Sequence, residues 1–138
     1  MWLVDIPSVI QFKNNTMYKE NITAIELLIA DYFEGIFKGE IHKLERSFHD
    51  DIHLYGDING EDYLKNKNEY LEGVKSRKSP YELKEDFQMK IVGVDIMGKV
   101  AMAKVHVPFS GYNYYDYLSM AKIDGKWIIV NKIFSHVE

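Results

Sequence analysis

The last third of the chain does most to limit what it can fold into. An apolar segment begins in the tyrosine-rich run 112–117 (YNYYDY), reaches the pair Asp124-Gly125 and turns back as Lys126-Trp127-Ile128-Ile129-Val130-Asn131-Lys132-Ile133-Phe134. Asp-Gly between two strand-like runs predicts a tight hairpin, because the favoured type I′ turn needs positive φ at both central residues. Side chains alternate along a strand, so Trp127, Ile129 and Ile133 are expected on one face and Ile128, Val130 and Phe134 on the other. Both faces are apolar, and both need cover. The chain's own helices can close one; in a chain of 138 residues the other is expected to be closed by a second copy, giving a homodimer through the outer face of the sheet.

The remaining periodicity divides the chain in two. From Pro80 onward the hydrophobic period is two, predicting strands near 82–96, 99–109, 113–123 and 126–136, separated by Met97-Gly98, Ser110-Gly111 and Asp124-Gly125. Connections this short make an antiparallel meander. Before Pro80 the period is 3.6. A helix is predicted over 19–38, with Ile22, Ile25, Ile29, Tyr32, Phe33 and Ile36 on one face and Gly39 at its end. A short helix over 40–48 and a third over 61–75 follow, with a brief strand at 52–55 and a turn-rich loop, Gly56-Asp57-Ile58-Asn59-Gly60, between them. Helices first and a meander afterwards is the α+β pattern. Residues 1–16 carry no clear period and read as an N-terminal appendage to a single domain over 17–138.

Composition narrows the function classes. There is no Cys, which excludes disulfides, thiol catalysis and thiolate metal sites. The 17 Lys and Arg are dispersed among 21 acids with net charge −4, which argues against nucleic acid or an anionic membrane as a partner. The opening Met1-Trp2-Leu3-Val4-Asp5-Ile6-Pro7 has no cationic region, and Asp5 and Pro7 break its apolar run, so it is not read as a signal sequence; the cytoplasm is the expected compartment. Ten tyrosines exceed what a minimal core needs and suit a pocket wall or an interface.

The run Asp31-Tyr32-Phe33-Glu34-Gly35-Ile36-Phe37-Lys38-Gly39-Glu40, then Leu44, Phe48-His49-Asp50-Asp51, Tyr115-Asp116-Tyr117-Leu118 and the segment from Asp124 to Phe134, resembles the lumazine-binding branch of the nuclear-transport-factor-2-like superfamily over about residues 19–135. The resemblance implies a curved sheet wrapped around helices as a cone, with a cavity at its wide end and dimerisation through the outer sheet face. Function varies widely on this fold, which carries ketosteroid isomerases, scytalone dehydratase, SnoaL-like polyketide cyclases and catalytically silent members. Tyr32 stands seven residues before Gly39, where ketosteroid isomerases carry the tyrosine that donates to the substrate oxygen. The isomerases' general-base aspartate falls near Gly56, beside Asp57, and their protonated acid near Ser119, so isomerase chemistry is not expected.

Three readings of function follow. The first is a binding domain for a small planar aromatic or heteroaromatic molecule, with no cofactor or metal, in a cavity lined by Tyr32, Tyr117, Ser119, Trp127 and Asn131. For Tyr32 the alternative is core packing with a tethered hydroxyl. The second is an enzyme of the cyclase or dehydratase type, moving a proton with His106 and Asp116, or with His53 and Asp57. Alternation groups Asp116 with Leu118 and Met120, a set read as the outer or interface side, and Tyr115, Tyr117, Ser119 and Ala121 as the other. The third is a protein-interaction domain with a filled cavity. The cluster His49, Asp50, Asp51 and His53 is read as turn and cap residues. Lys132, a cation in an apolar strand, is read as snorkelling to the sheet edge or binding an anion at the cavity mouth.

Overall fold

The computed structural model describes residues 8–138, with side chains from residue 16 onward. Helix α1 (Ser8–Lys38) carries the predicted apolar face, and its buried residues Ile25, Ile29, Tyr32, Phe33 and Ile36 form the floor of the core. It begins earlier than its periodicity indicates: 8–16, read as appendage, continue the helix, while 1–7 lie outside the described residues. Gly39, at φ 69°, ends it in the left-handed conformation that costs glycine little. The short α2 (Ile41–Ser47) turns back across it and buries Leu44.

Six strands form one curved sheet in the order β2-β1-β6-β5-β4-β3. β1 (Phe48–Ile58) and β2 (Glu61–Asn66) form a hairpin, α3 (Lys67–Ser76) follows, and β3 (Lys90–Met97), β4 (Val100–Phe109), β5 (Tyr112–Ile123) and β6 (Lys126–His136) form the expected meander. The sheet is antiparallel except where β1 runs parallel to β6. Ser110-Gly111 and Asp124-Gly125 have positive φ at both positions, as type I′ hairpins require.

The helix predicted over 61–75 is a strand in its first half. Asn59-Gly60, at φ 55° and 87°, is itself a hairpin turn and returns the chain along β1 as β2. The helix proper is nucleated at Asn66, whose side chain accepts from the Glu69 backbone N–H while the Glu69 carboxylate accepts from the Asn66 N–H. The strand predicted from 82 starts only at Lys90, the segment before it being turns over Pro80.

One irregularity in β6 sets the site. Met120 of β5 pairs with Ile129, but its neighbour Ser119 pairs with Asn131, leaving Val130 as the extra residue of a β-bulge. Alternation therefore slips by one. Trp127 and Ile129 point inward before the bulge, and Lys132 and Phe134 after it, while Ile133 is on the outer face. On β5 the inward set is Asp116, Leu118 and Met120, the reverse of the sequence assignment, and Tyr117 is outward at 45% exposure.

Candidate active site

The bulge and the facing strand bring two oppositely charged groups into an apolar interior. Asp116, 2% exposed, accepts a hydrogen bond from the Tyr32 hydroxyl at 2.5 Å, a contact that ties the C-terminal part of α1 to the centre of the sheet. Lys132, 5% exposed, places its Nζ 3.3 Å from the Tyr70 hydroxyl of α3. The ammonium also lies 4.7, 4.9 and 5.1 Å from the ring centroids of Tyr70, Phe134 and Tyr32. Three ring faces offer a buried cation partial compensation for lost water. Phe134 reaches this position because Gly56 opposite it on β1 has no side chain: a Cβ there would stand 2.3 Å from the ring.

Asp116 and Lys132 share the wall of a cavity of about 120 Å³ between α3 and the inner face of the sheet. Its aromatic wall includes Tyr63, Tyr114 and Phe134, and Tyr70 and Arg77 supply further polar groups. Burial pushes the Asp116 carboxyl above its ordinary value; the Lys132 charge and the Tyr32 hydrogen bond pull it part of the way back, with a smaller contribution from His106. Burial first, and the Asp116 charge second, hold the Tyr32 phenol well above its usual range, so it stays a donor. Burial likewise raises Tyr63, and Tyr114 to about 12. A carboxyl raised in this way is a better base than a solvated one, and a fixed ammonium is a place for negative charge to develop on oxygen.

The five residues expected to line the cavity are placed elsewhere. Tyr32 packs in the core with its hydroxyl committed to Asp116. Tyr117 belongs to an open groove on the outer sheet face with Tyr55, Lys104 and Ile133. Ser119 pairs with Asn131 across β5 and β6, and the Asn131 amide donates to the His53 carbonyl at 3.2 Å. Trp127 is buried against the middle of α1, its indole N–H 3.1 Å from Asn21 Oδ1.

Neither expected proton-transfer pair forms. His106 stands opposite Tyr115 and Asp116 opposite Val105, so adjacent positions carry the two to opposite faces. His106 instead stacks on Tyr115 at 4.3 Å, with its Nε2 2.5 Å from Asn113 Oδ1. His53 and Asp57 both point outward on β1, where Asp57 accepts the Gly60 N–H at 2.8 Å in the hairpin turn. In the neighbouring acidic cluster, Asp50 is paired with Lys67 at 3.0 Å. Tyr70 and Arg77 carried no signal in a single sequence, and Lys132 was visible only as a cation where an apolar residue was expected.

Residues 20–135 match the family described as putative lumazine-binding, and the chain belongs to that family. It is also 30% identical over 106 residues, 75% of this chain and 81% of the relative, to a protein named aldolase FrzH from a Cladobotryum species. Among solved structures it is similar to an NTF2-like protein from Shewanella baltica, with TM-score 0.76 and 22% identity over 88% of this chain and 97% of that one. Another, from Silicibacter pomeroyi, superposes with TM-score 0.74 and 23% identity over 87% and 98%. At that identity the two structures speak to the fold: this is an NTF2-like α+β cone, as its sheet order and helices indicate.

Proposed function

We propose that this member of the lumazine-binding family is an enzyme that moves a proton on a small carbonyl compound in aldol-type chemistry, with Asp116 as the acid-base group and Lys132 as the cation that steadies the carbonyl oxygen. The observation that carries the reading is the burial of both side chains on the wall of one cavity. Ionisable groups are rarely buried, and a desolvated acid and a cation on one cavity wall are what acid-base chemistry requires. The relative named an aldolase supports the same class of reaction.

The step balances on these residues alone. The Asp116 carboxylate takes the hydrogen from the carbon beside the carbonyl; the released electron pair moves onto the carbonyl oxygen as an enolate, held by the Lys132 ammonium. The enolate carbon then forms a bond to a second carbonyl carbon, and the resulting alkoxide takes the proton back from Asp116. Cleavage is the same sequence reversed. Throughout, Tyr32 keeps the carboxyl in one orientation by its hydrogen bond.

A cavity of about 120 Å³ is well below the roughly 300–1,000 Å³ that holds drug-sized ligands, so it favours a molecule of a few heavy atoms over the fused aromatic ring system expected from the tyrosine content. The test is incubation with a set of small β-hydroxy carbonyl compounds, followed by NMR for cleavage. Turnover by the wild type that is lost in Asp116→Asn supports the reading. Equal turnover by the two proteins, or none with any compound that binds, would sink it.

A further inference from the structure

Among the described residues, Arg77 is the one charged group on the cavity wall that the proposed proton transfer leaves unused. It follows the last turn of α3 in an extended conformation, φ −111° and ψ 156°, which turns the chain away from the helix at the cavity. Its guanidinium lies 5.0 Å from the Phe109 ring centroid, and Phe109 is itself part of the wall. Among the described residues that guanidinium makes no hydrogen bond or ion pair. The phenol groups of Tyr63 and Tyr114, on the same wall, also have no hydrogen-bonded protein partner among the described residues. Arg77 acts electrostatically on both phenols, lowering each against the larger effect of burial.

The charges on the wall are unbalanced. Among the described lining residues, two cations, Arg77 and Lys132, face a single carboxyl, Asp116. The cavity is thus cationic in a chain of net charge −4. An arginine stacked on an aromatic ring keeps its planar fork free for a carboxylate, which it binds through two parallel N–H donors. Resting on the aldol-type reading of this site, we infer that the substrate is an oxo-acid: a carbonyl compound whose carboxylate is held by Arg77 while Asp116 and Lys132 act at the carbonyl end. The cavity volume of about 120 Å³, well below that of a drug-sized site, suits a small acid.

The experiment compares pyruvate with its neutral amide, pyruvamide, by calorimetry or ligand-observed NMR on the wild type, Arg77→Gln and Arg77→Lys. The expected result is that the wild type prefers pyruvate and that Arg77→Gln weakens pyruvate by about tenfold, the loss of a charge-assisted contact. Arg77→Lys should recover part of the affinity, and pyruvamide should bind all three alike. Equal affinity of the wild type for the two probes, or an Arg77→Gln loss that is the same for both, overturns the inference, since arginine would then matter only by packing on Phe109. Exchange of the methyl hydrogens with D2O, followed in the same samples, separates the two claims. Arg77-dependent binding without exchange removes the aldol reading and leaves the anion site; exchange as fast with pyruvamide as with pyruvate removes the anion site and leaves the aldol reading.

Discussion

Tyr32→Phe removes one oxygen from the centre of the molecule, and its consequences can be worked from the contacts. The ring stays, so the packing against Phe48, whose centroid is 5.8 Å away, is unchanged and no cavity of consequence opens. What is lost is the donor 2.5 Å from a buried carboxylate. A hydrogen bond to a charged group is worth about 1.5–3 kcal/mol, and one between neutral groups about 0.5–1.5 kcal/mol. Which value applies depends on pH. Burial raises the folded-state pKa of Asp116 above its unfolded value, so the protein gains stability from this group when it is protonated; that gain is complete below the unfolded pKa and is lost as pH rises through the folded one. Tyr32 and Lys132 face the carboxyl and hold the folded pKa down, as His106 does more weakly, and removing the Tyr32 donor lets it rise further. The penalty of Tyr32→Phe should therefore grow with pH, from about 1 kcal/mol where Asp116 is protonated to about 2 kcal/mol where it is ionised. At roughly 4 °C per kcal/mol for a domain of this size, the melting temperature should fall by about 8 °C at the upper end. Thermal unfolding of both proteins across pH 4 to about 8 measures this. A variant as stable as the wild type, or a loss that does not change with pH, would refute the assignment of that hydroxyl to Asp116.

Three further outcomes are expected. Gly56→Ala should destabilise by about 1–3 kcal/mol through overpacking, because its Cβ meets the Phe134 ring at 2.3 Å; it should also weaken ligand binding as Phe134 is pushed off Lys132, and a neutral change in both would show that the strand yields instead. We propose that a second copy covers the outer sheet face, where Tyr55, Met102, Tyr117 and Ile133 are each exposed, so light scattering after gel filtration should return twice the chain mass, and a clean monomer at micromolar concentration would refute it. A chain beginning at Met17 should melt within a few degrees of the full one, since Met17 and Tyr18 are exposed and Ile25 is the first buried side chain of the described part of α1; loss of soluble protein would show that the preceding residues complete the core.

The fold was readable in the sequence because hairpin turns and periodicity are local signals. Asp124-Gly125 named its own conformation, Ser110-Gly111 marked the break between two strands, and the apolar face of α1 from Ile25 to Ile36 is buried as its spacing requires. Asn59-Gly60 carried the same turn signal, but β2 is a polar edge strand whose Leu64 falls in helical register with Leu71, so its period pointed the wrong way. The site was harder to read for a specific reason. Alternation holds only until a bulge, and the extra residue Val130 brings Lys132 inward, where strict alternation from Ile129 places it outward. Asp116 alternates with Leu118 and Met120, a set read as the outer side because the tyrosines at 115 and 117 drew the cavity to the other face, and found buried. Arg77 and Tyr70 reach the site through the packing of α3, which no local pattern encodes.

The most direct measurement is the rate at which the carbon-bound hydrogens beside the carbonyl of pyruvate exchange with D2O in the presence of the protein, followed by proton NMR for the wild type, Asp116→Asn and Lys132→Met. Asp116→Asn can keep an acceptor for Tyr32 but cannot take up a proton, and circular dichroism will verify that each variant is folded. The wild type is expected to accelerate exchange, Asp116→Asn to lose about 10²–10⁴-fold of that acceleration as a missing general base does, and Lys132→Met to lose about 10²–10³-fold as a missing oxyanion partner does. Wild-type exchange no faster than buffer, or exchange that persists undiminished in Asp116→Asn, would contradict the claim that the buried pair transfers a proton.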